Sequence, residues 1–292
     1  MDLIPPGLGP AEIHGRRLRW SAGRAGFRQG IHDTPHGRLA VWQGGYGRPL
    51  LLISGFAVEA LWQWDGQLGA LAHRHRVVAP DLVGHGGSSG AIHRPLETMI
   101  GRCASLMEQL GHEQYDVCGL SYGGFVALGL AREHGQRVRR VLLSDCPGPA
   151  FTWDDYQALL GRFGARSIED LLLPASPSGM RDLVGIAWHR PPWLPDFVLA
   201  DVHARMFVNR RSEQLPLLAE VVQMVRQPPP VACPHPTLVC WGEHDRVFPV
   251  ETGERLVGLL PDARVEVFRD TAHTPNIQQP RRFNRVLLDF LA

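Results

Sequence analysis

The chain of 292 residues predicts an α/β protein: a mostly parallel sheet with helices on both faces and a helical segment inserted into it. Three observations carry that prediction. Compact apolar runs of strand length alternate with helix-length amphipathic stretches, which is the pattern of strands buried on both faces. The strand signal disappears between about 147 and 230 and then returns, and a structureless loop of that size is uncommon inside a compact domain. Finally, a Gly-x-Ser-x-Gly string joins one of the apolar runs to a helix.

Residues 1–25 are rich in Pro, Gly and Arg without clear periodicity, and are read as a leader or surface arm. "GFRQGIHDTPHGRLAVWQGG" reads as two short strands around a turn at Thr34–Gly37. "RPLLLIS" and "HRVVAPD" follow as strands, separated by a helix over Ala57–His73. A helix over Leu96–Leu110, the strand "YDVCG", a helix over Gly123–His134 and the strand "RVRRVLLSD" complete the first block. In the inserted stretch "WDDYQALLGRFG" and "EQLPLLAEVVQMV" have helical spacing and are divided by proline-rich breaks. The last block holds the strand "PTLVCWGEHD", a helix over Glu251–Leu260, the strand "ARVEVFRD" and a closing helix over Pro280–Leu291. The domain reading is therefore a core made of 26–146 and 231–292, with a helical cap at 147–230.

Composition excludes several chemistries. Formal net charge is +1, and the short cluster "HGRRLRW" is read as a solvated face, so neither nucleic acid nor an anionic membrane is expected as a partner. All 30 basic residues are arginine. Without lysine there is no Walker A phosphate site and no Schiff base. The five cysteines include no C-x-x-C, which gives neither a disulfide framework nor zinc-ligand spacing; no metal site is expected. No signal peptide or membrane span is read, and the expected compartment is the cytoplasm.

Chemistry concentrates at three strand ends. Ser121 lies between the strand "YDVC" and the helix-compatible "GGFVALGLARE", in Gly119-Leu120-Ser121-Tyr122-Gly123, where a sharp turn would hold a serine hydroxyl exposed. A serine needs a base to take its proton and an acid to orient that base. Asp245 stands just past the strand "PTLVCWG" and His273 just past "ARVEVF", in the order Ser121, Asp245, His273. Asp145 after "RVLLS" is the runner-up acid. His85, in a glycine-rich turn, is read as structural, Glu243 and Asp270 as loop hydrogen-bonding groups, and Arg190 as an exposed arginine.

Together "SGF", "PDLVGHGGSSG", "GLSYGG", "WGEHDRVFP" and "DTAHTPNIQQPRRF" resemble the α/β-hydrolase superfamily in that family's order, over nearly the whole chain outside the inserted segment. The resemblance implies an eight-stranded sheet, a Ser121–His273–Asp245 triad and a cap domain. It further implies an oxyanion hole of backbone N–H groups from Tyr122 and Phe56, although Ser54 stands where many relatives carry histidine. The expected activity is serine-hydrolase cleavage of carboxylic esters or thioesters of apolar, medium-sized small molecules through an acyl-enzyme, without a cofactor. The alternatives are carbon-carbon bond hydrolysis, as in the similar meta-cleavage product hydrolases, and a non-catalytic ligand receptor. Thr274 and Tyr122 stand where meta-cleavage enzymes typically have tryptophan and methionine. Trp153, Trp188, Trp193 and Phe197 are the expected pocket residues.

Overall fold

The structure, a computed structural model, describes residues 9–35, 37–90, 93–230 and 233–292. Its strands are β1 (Arg28–Thr34), β2 (Gly37–Gly44), β3 (Arg48–Ile53), β4 (His75–Pro80), β5 (Ser89–Gly90), β6 (Tyr115–Leu120), β7 (Val138–Ser144), β8 (Thr237–Gly242) and β9 (Ala263–Phe268). They form one sheet in the order β1-β2-β4-β3-β6-β7-β8-β9, with the two-residue β5 pairing β2. From β4 to β9 every pair along this path is parallel, whereas β1 and β2 run antiparallel to their neighbours. The eight strands of the path match the expected number. In the expected hairpin turn Thr34 pairs with Gly37; His36 lies outside the described residues.

The helices are α1 (Pro10–Arg24), α2 (Ala60–Leu71), α3 (Pro95–Gln109), α4 (Tyr122–Glu133), α5 (Trp153–Phe163), α6 (Ile168–Leu172), α7 (Pro177–Ala187), α8 (Asp196–His203), α9 (Arg211–Arg226), α10 (Val250–Leu259), α11 (Pro275–Gln278) and α12 (Pro280–Leu291). Every residue of β6 and β8 is buried, which is why these strands read as unbroken apolar runs. Successive residues of β3 serve opposite faces. Leu51 and Ile53 join a core with α3, α4 and the inserted helices, while Leu50 and Leu52 join a second core with α1, α2 and α12.

Five helices, α5–α9, lie between β7 and β8. Their starts are encoded locally: Thr152 and Asp155 make a reciprocal capping box on α5, and Ser167 and Ser176 cap α6 and α7. A single π-helical stretch, Ala204–Val208, follows α8.

Residues 10–24, read from the sequence as part of a leader or arm, form α1 instead, and residues 1–8 lie outside the described residues. Four of the 15 helical positions, Ala11, Gly15, Leu18 and Ala22, are buried, at helical spacing that short arginine-rich sequence obscures. The helix ties two parts of the fold together. Asp201 of α8 accepts from the Ala11 N–H at 2.6 Å, and Arg205 pairs with Glu59 at 3.0 Å and with Glu12 at 3.5 Å. Leu18→Ala should cost about 2–4 kcal/mol, a fall in melting temperature of roughly 4–10 °C for a domain of this size. An unchanged melting temperature would show that α1 adds nothing to the core.

Candidate active site

Ser121 occupies the one-residue link between β6 and α4, at φ 50° and ψ −117°. The turn is possible because of its flanks. A Cβ on Gly119 would collide with the Gly123 carbonyl, and one on Gly123 would collide with the Ile53 carbonyl at the end of β3. Strand β6, helix α4 and the end of β3 therefore touch through bare backbone. The Ser121 N–H donates to the Ser144 carbonyl at 2.8 Å, and its own carbonyl accepts from Gly124 N–H at 2.9 Å.

Asp245 and His273 meet from separate loops. His273 Nδ1 is 2.8 Å from Asp245 Oδ2, and Asp245 Oδ1 accepts from the N–H groups of Val247 at 2.8 Å and Phe248 at 3.1 Å. These two backbone donors fix the carboxylate, which in turn fixes the ring. The His244 N–H donates to the Thr271 carbonyl at 2.8 Å, so the loop after β8 is stitched to the loop after β9. Burial works to lower the His273 pKa, but the Asp245 charge and hydrogen bond, helped by Asp145, outweigh it and raise the imidazole above its ordinary value.

Asp145, the runner-up acid, is present but differently engaged. It is fully buried at φ 46°, accepts from Gly242 N–H and from Ser144 Oγ, each at 2.8 Å, and lies within 4.8 Å of both Asp245 and His273 donor atoms. Burial first, then the Asp245 charge, pushes its carboxyl up to about 8. Two carboxylates this close do not both ionise readily. Asp245, not Asp145, is the carboxylate that faces His273 Nδ1 at hydrogen-bond distance.

Ser121 and His273 open on the same cavity, of about 190 Å³, at the carboxyl ends of β3, β6 and β8. Phe56, Met180, Ile186, Trp188 and Phe207 supply apolar wall, and no Asp, Glu or Arg is among the lining residues described. Phe56 follows β3, and Tyr122 opens α4, where first-turn N–H groups have no intrahelical acceptor. Ser54, standing where relatives carry histidine, is buried, and its hydroxyl makes no hydrogen bond with the described protein atoms. His85 is also buried, with Nδ1 3.0 Å from the Val83 carbonyl and its ring edge-on to Phe56; burial lowers its pKa to about 4.

Of the four expected pocket aromatics only Trp188 lines the cavity. Trp153 stacks on Tyr156 under Arg226, whereas Trp193 is 80% and Phe197 60% exposed. Beside Phe56, Trp188 and Phe207, the cavity wall is aliphatic and thioether, from Met180, Leu183, Ile186 and Met206. Helical spacing in α7 was the available signal, since Met180, Leu183, Val184 and Ala187 recur on one face. A larger surface cleft of about 780 Å³ beside α3, α4 and α9 contains none of Ser121, Asp245 or His273.

Residues 48–280 match the alpha/beta hydrolase fold family. The chain belongs to the α/β-hydrolase family. It is 31% identical to a 2-hydroxy-6-oxo-2,4-heptadienoate hydrolase of Pseudomonas putida, over 91% of this chain and 94% of the relative. It is 27% identical to Lipase 3 of a Moraxella species, over 80% of this chain and 73% of the relative. Among solved structures, a bacterial membrane phospholipase A superimposes with a TM-score of 0.81 at 25% identity, covering 97% of this α/β hydrolase and 91% of that chain. In this α/β hydrolase no described helix is long and apolar enough to cross a membrane.

Gly119→Ala should abolish soluble expression or lower the melting temperature by many degrees, because the collision is with backbone. Gly69→Ala, in α2 with nothing within 4 Å of the added carbon, should leave the melting temperature unchanged or raise it, with a gain in stability of up to about 1 kcal/mol. Equal behaviour of the two variants would remove the steric account of the turn.

Proposed function

We propose that this α/β hydrolase cleaves neutral carboxylic esters or thioesters of apolar small molecules, with Ser121 as nucleophile, His273 as base and Asp245 as the orienting acid. The observation that carries the reading is the shared opening of Ser121 and His273 on an apolar cavity with no cationic side chain described in its wall. His273 Nδ1, held by Asp245, carries the proton, which leaves Nε2 to accept the Ser121 hydroxyl proton as the oxygen attacks the ester carbonyl. The backbone N–H groups of Phe56 and Tyr122 then receive the charge that develops on the carbonyl oxygen. His273 returns its proton to the departing alcohol or thiol, and a water activated by the same ring hydrolyses the acyl-Ser121 ester. The helical segment at 147–230 acts in this reading as a cap that keeps water from the acyl group.

Carbon-carbon bond hydrolysis is the second reading, because the heptadienoate hydrolase relative is 31% identical. A dienoate, however, is a carboxylate, and moving it into an apolar wall without a paired cation costs several kcal/mol. Arg190, the nearest arginine in sequence to Trp188, is exposed and lies 3.7 Å from Asp270, on the outer side. Neutral p-nitrophenyl esters of short acids should therefore exceed a 2-hydroxy-6-oxo-dienoate in kcat/KM by about 100-fold, and Ser121→Ala should abolish both. Preference for the dienoate would move the chain to the carbon-carbon reading. Ester binding without turnover in the wild type would move it to the receptor reading.

The raised His273 pKa has a definite sign in kinetics. The base must be neutral, so kcat/KM should rise with pH through a value above 6.5. Asp245→Asn removes the largest raising influence, and its residual activity should show an acid limb displaced to lower pH, with kcat reduced by roughly four orders of magnitude. A pH profile unmoved by Asp245→Asn would exclude Asp245 as the partner of the titrating base.

A further inference from the structure

Outside the cavity, four side chains from three distant segments converge where the inserted segment meets the strand-end loops. His189 follows α7, Glu243 and His244 follow β8, and Asp270 follows β9. Donor atoms of His189, His244 and Asp270 all lie within 4.8 Å of one another. His189 Nε2 is 3.8 Å from Asp270 Oδ1, and His244 Nε2 is 3.5 Å from Glu243 Oε2. The two imidazoles stack with centroids 4.0 Å apart and planes 15° from parallel. Beside them is a solvent-open cavity of about 380 Å³, bounded in part by His189, Glu243 and His244.

The main chain beneath these donors is already fixed. His189 N–H donates to Gln278 Oε1 at 3.0 Å, and Asp270 N–H donates to Glu243 Oε2 at 3.2 Å. Asp270 itself sits at φ 57°, a left-handed conformation that aspartate tolerates better than most residues. Ordinary ion pairing accounts for the carboxylates, since Arg190 stands 3.7 Å from Asp270. It does not account for three metal-ligating side chains from three separate segments converging within 4.8 Å. An imidazole binds metal in its own ring plane, so ligation of one ion by both rings requires them to turn out of this stack.

We propose that His189, His244 and Asp270, with Glu243 as a fourth donor, bind a divalent transition ion of the zinc class. Two imidazole nitrogens with carboxylate oxygens are a borderline donor set that suits zinc, cobalt or nickel over magnesium or calcium. Metal bonds of about 2.0–2.2 Å place tetrahedral donors about 3.4 Å apart. The present donors, within 4.8 Å of one another, must close by up to about 1.4 Å as the rings turn, a change that side-chain rotation supplies. Sequence spacing gives no sign of the site, since His189, His244 and Asp270 are 26 to 81 positions apart along the chain and only the loops bring them together. A bound ion would fasten His189, next to the cavity residue Trp188, to the loops that carry Asp245 and His273. The proposal does not depend on which bond the enzyme cleaves.

Zinc chloride titrated calorimetrically into metal-free full-length protein should bind at one ion per chain with micromolar affinity, and should raise the melting temperature as the site fills. His189→Ala should weaken binding at least about tenfold while leaving metal-free ester turnover within about twofold. His244→Gln provides the same reading if that variant does not fold. No binding at millimolar zinc, or an equal response to magnesium, would overturn the proposal. So would zinc binding that survives both histidine variants and disappears in His273→Ala, because the ion would then sit at the cavity.

Discussion

A serine held at φ 50° between a strand and a helix is the constraint from which the site follows. L-residues avoid that region, so the surrounding fold must over-determine it. Here the determination is steric: glycines at 119 and 123 let β6, α4 and the end of β3 approach through bare backbone, and the Ser144 carbonyl of β7 takes the serine N–H. A parallel sheet buried on both faces supplies the rigidity. Each of these contacts belongs to a different strand, which is why a local turn propensity could not build the geometry alone.

Electrostatics around the turn are arranged by burial more than by distance. Asp145 and Asp245 flank the same imidazole, but Asp245 is served by two backbone donors and faces the ring nitrogen at 2.8 Å, while the fully buried Asp145 is occupied with Gly242 and Ser144. Burial and the neighbouring Asp245 charge both raise the Asp145 carboxyl, because two carboxylates this close do not both ionise readily. The raised pKa of His273 is the other side of the same balance: burial opposes its charge, and the retained anion more than offsets that cost.

The inserted helices supply part of the lining of the strand-end cavity. Their inner face is built from α7, Trp188 and the π-helical stretch after α8, and α1 braces α8 against α2 through Asp201 and Arg205. Helix α1 thus contacts Asp201 and Arg205, close in sequence to the cavity residues Met206 and Phe207. Its buried positions are four small or aliphatic residues in a helix with four arginines, too sparse a stripe to announce a docked helix.

The strands, most helices and the order of the three chemical residues were legible because each is written in local periodicity or in short turn chemistry: unbroken apolar runs, proline-rich breaks, glycines around Ser121. The sequence by itself therefore determined a parallel α/β sheet carrying a serine turn, with an acid and a histidine on later loops. Tertiary structure alone decided which carboxylate faces His273, that Trp188 and not Trp153, Trp193 or Phe197 meets the cavity, and that His189, His244 and Asp270 share a corner. The physical reason is that periodicity reports which residues leave water. It carries no information about which distant neighbour they meet when they do.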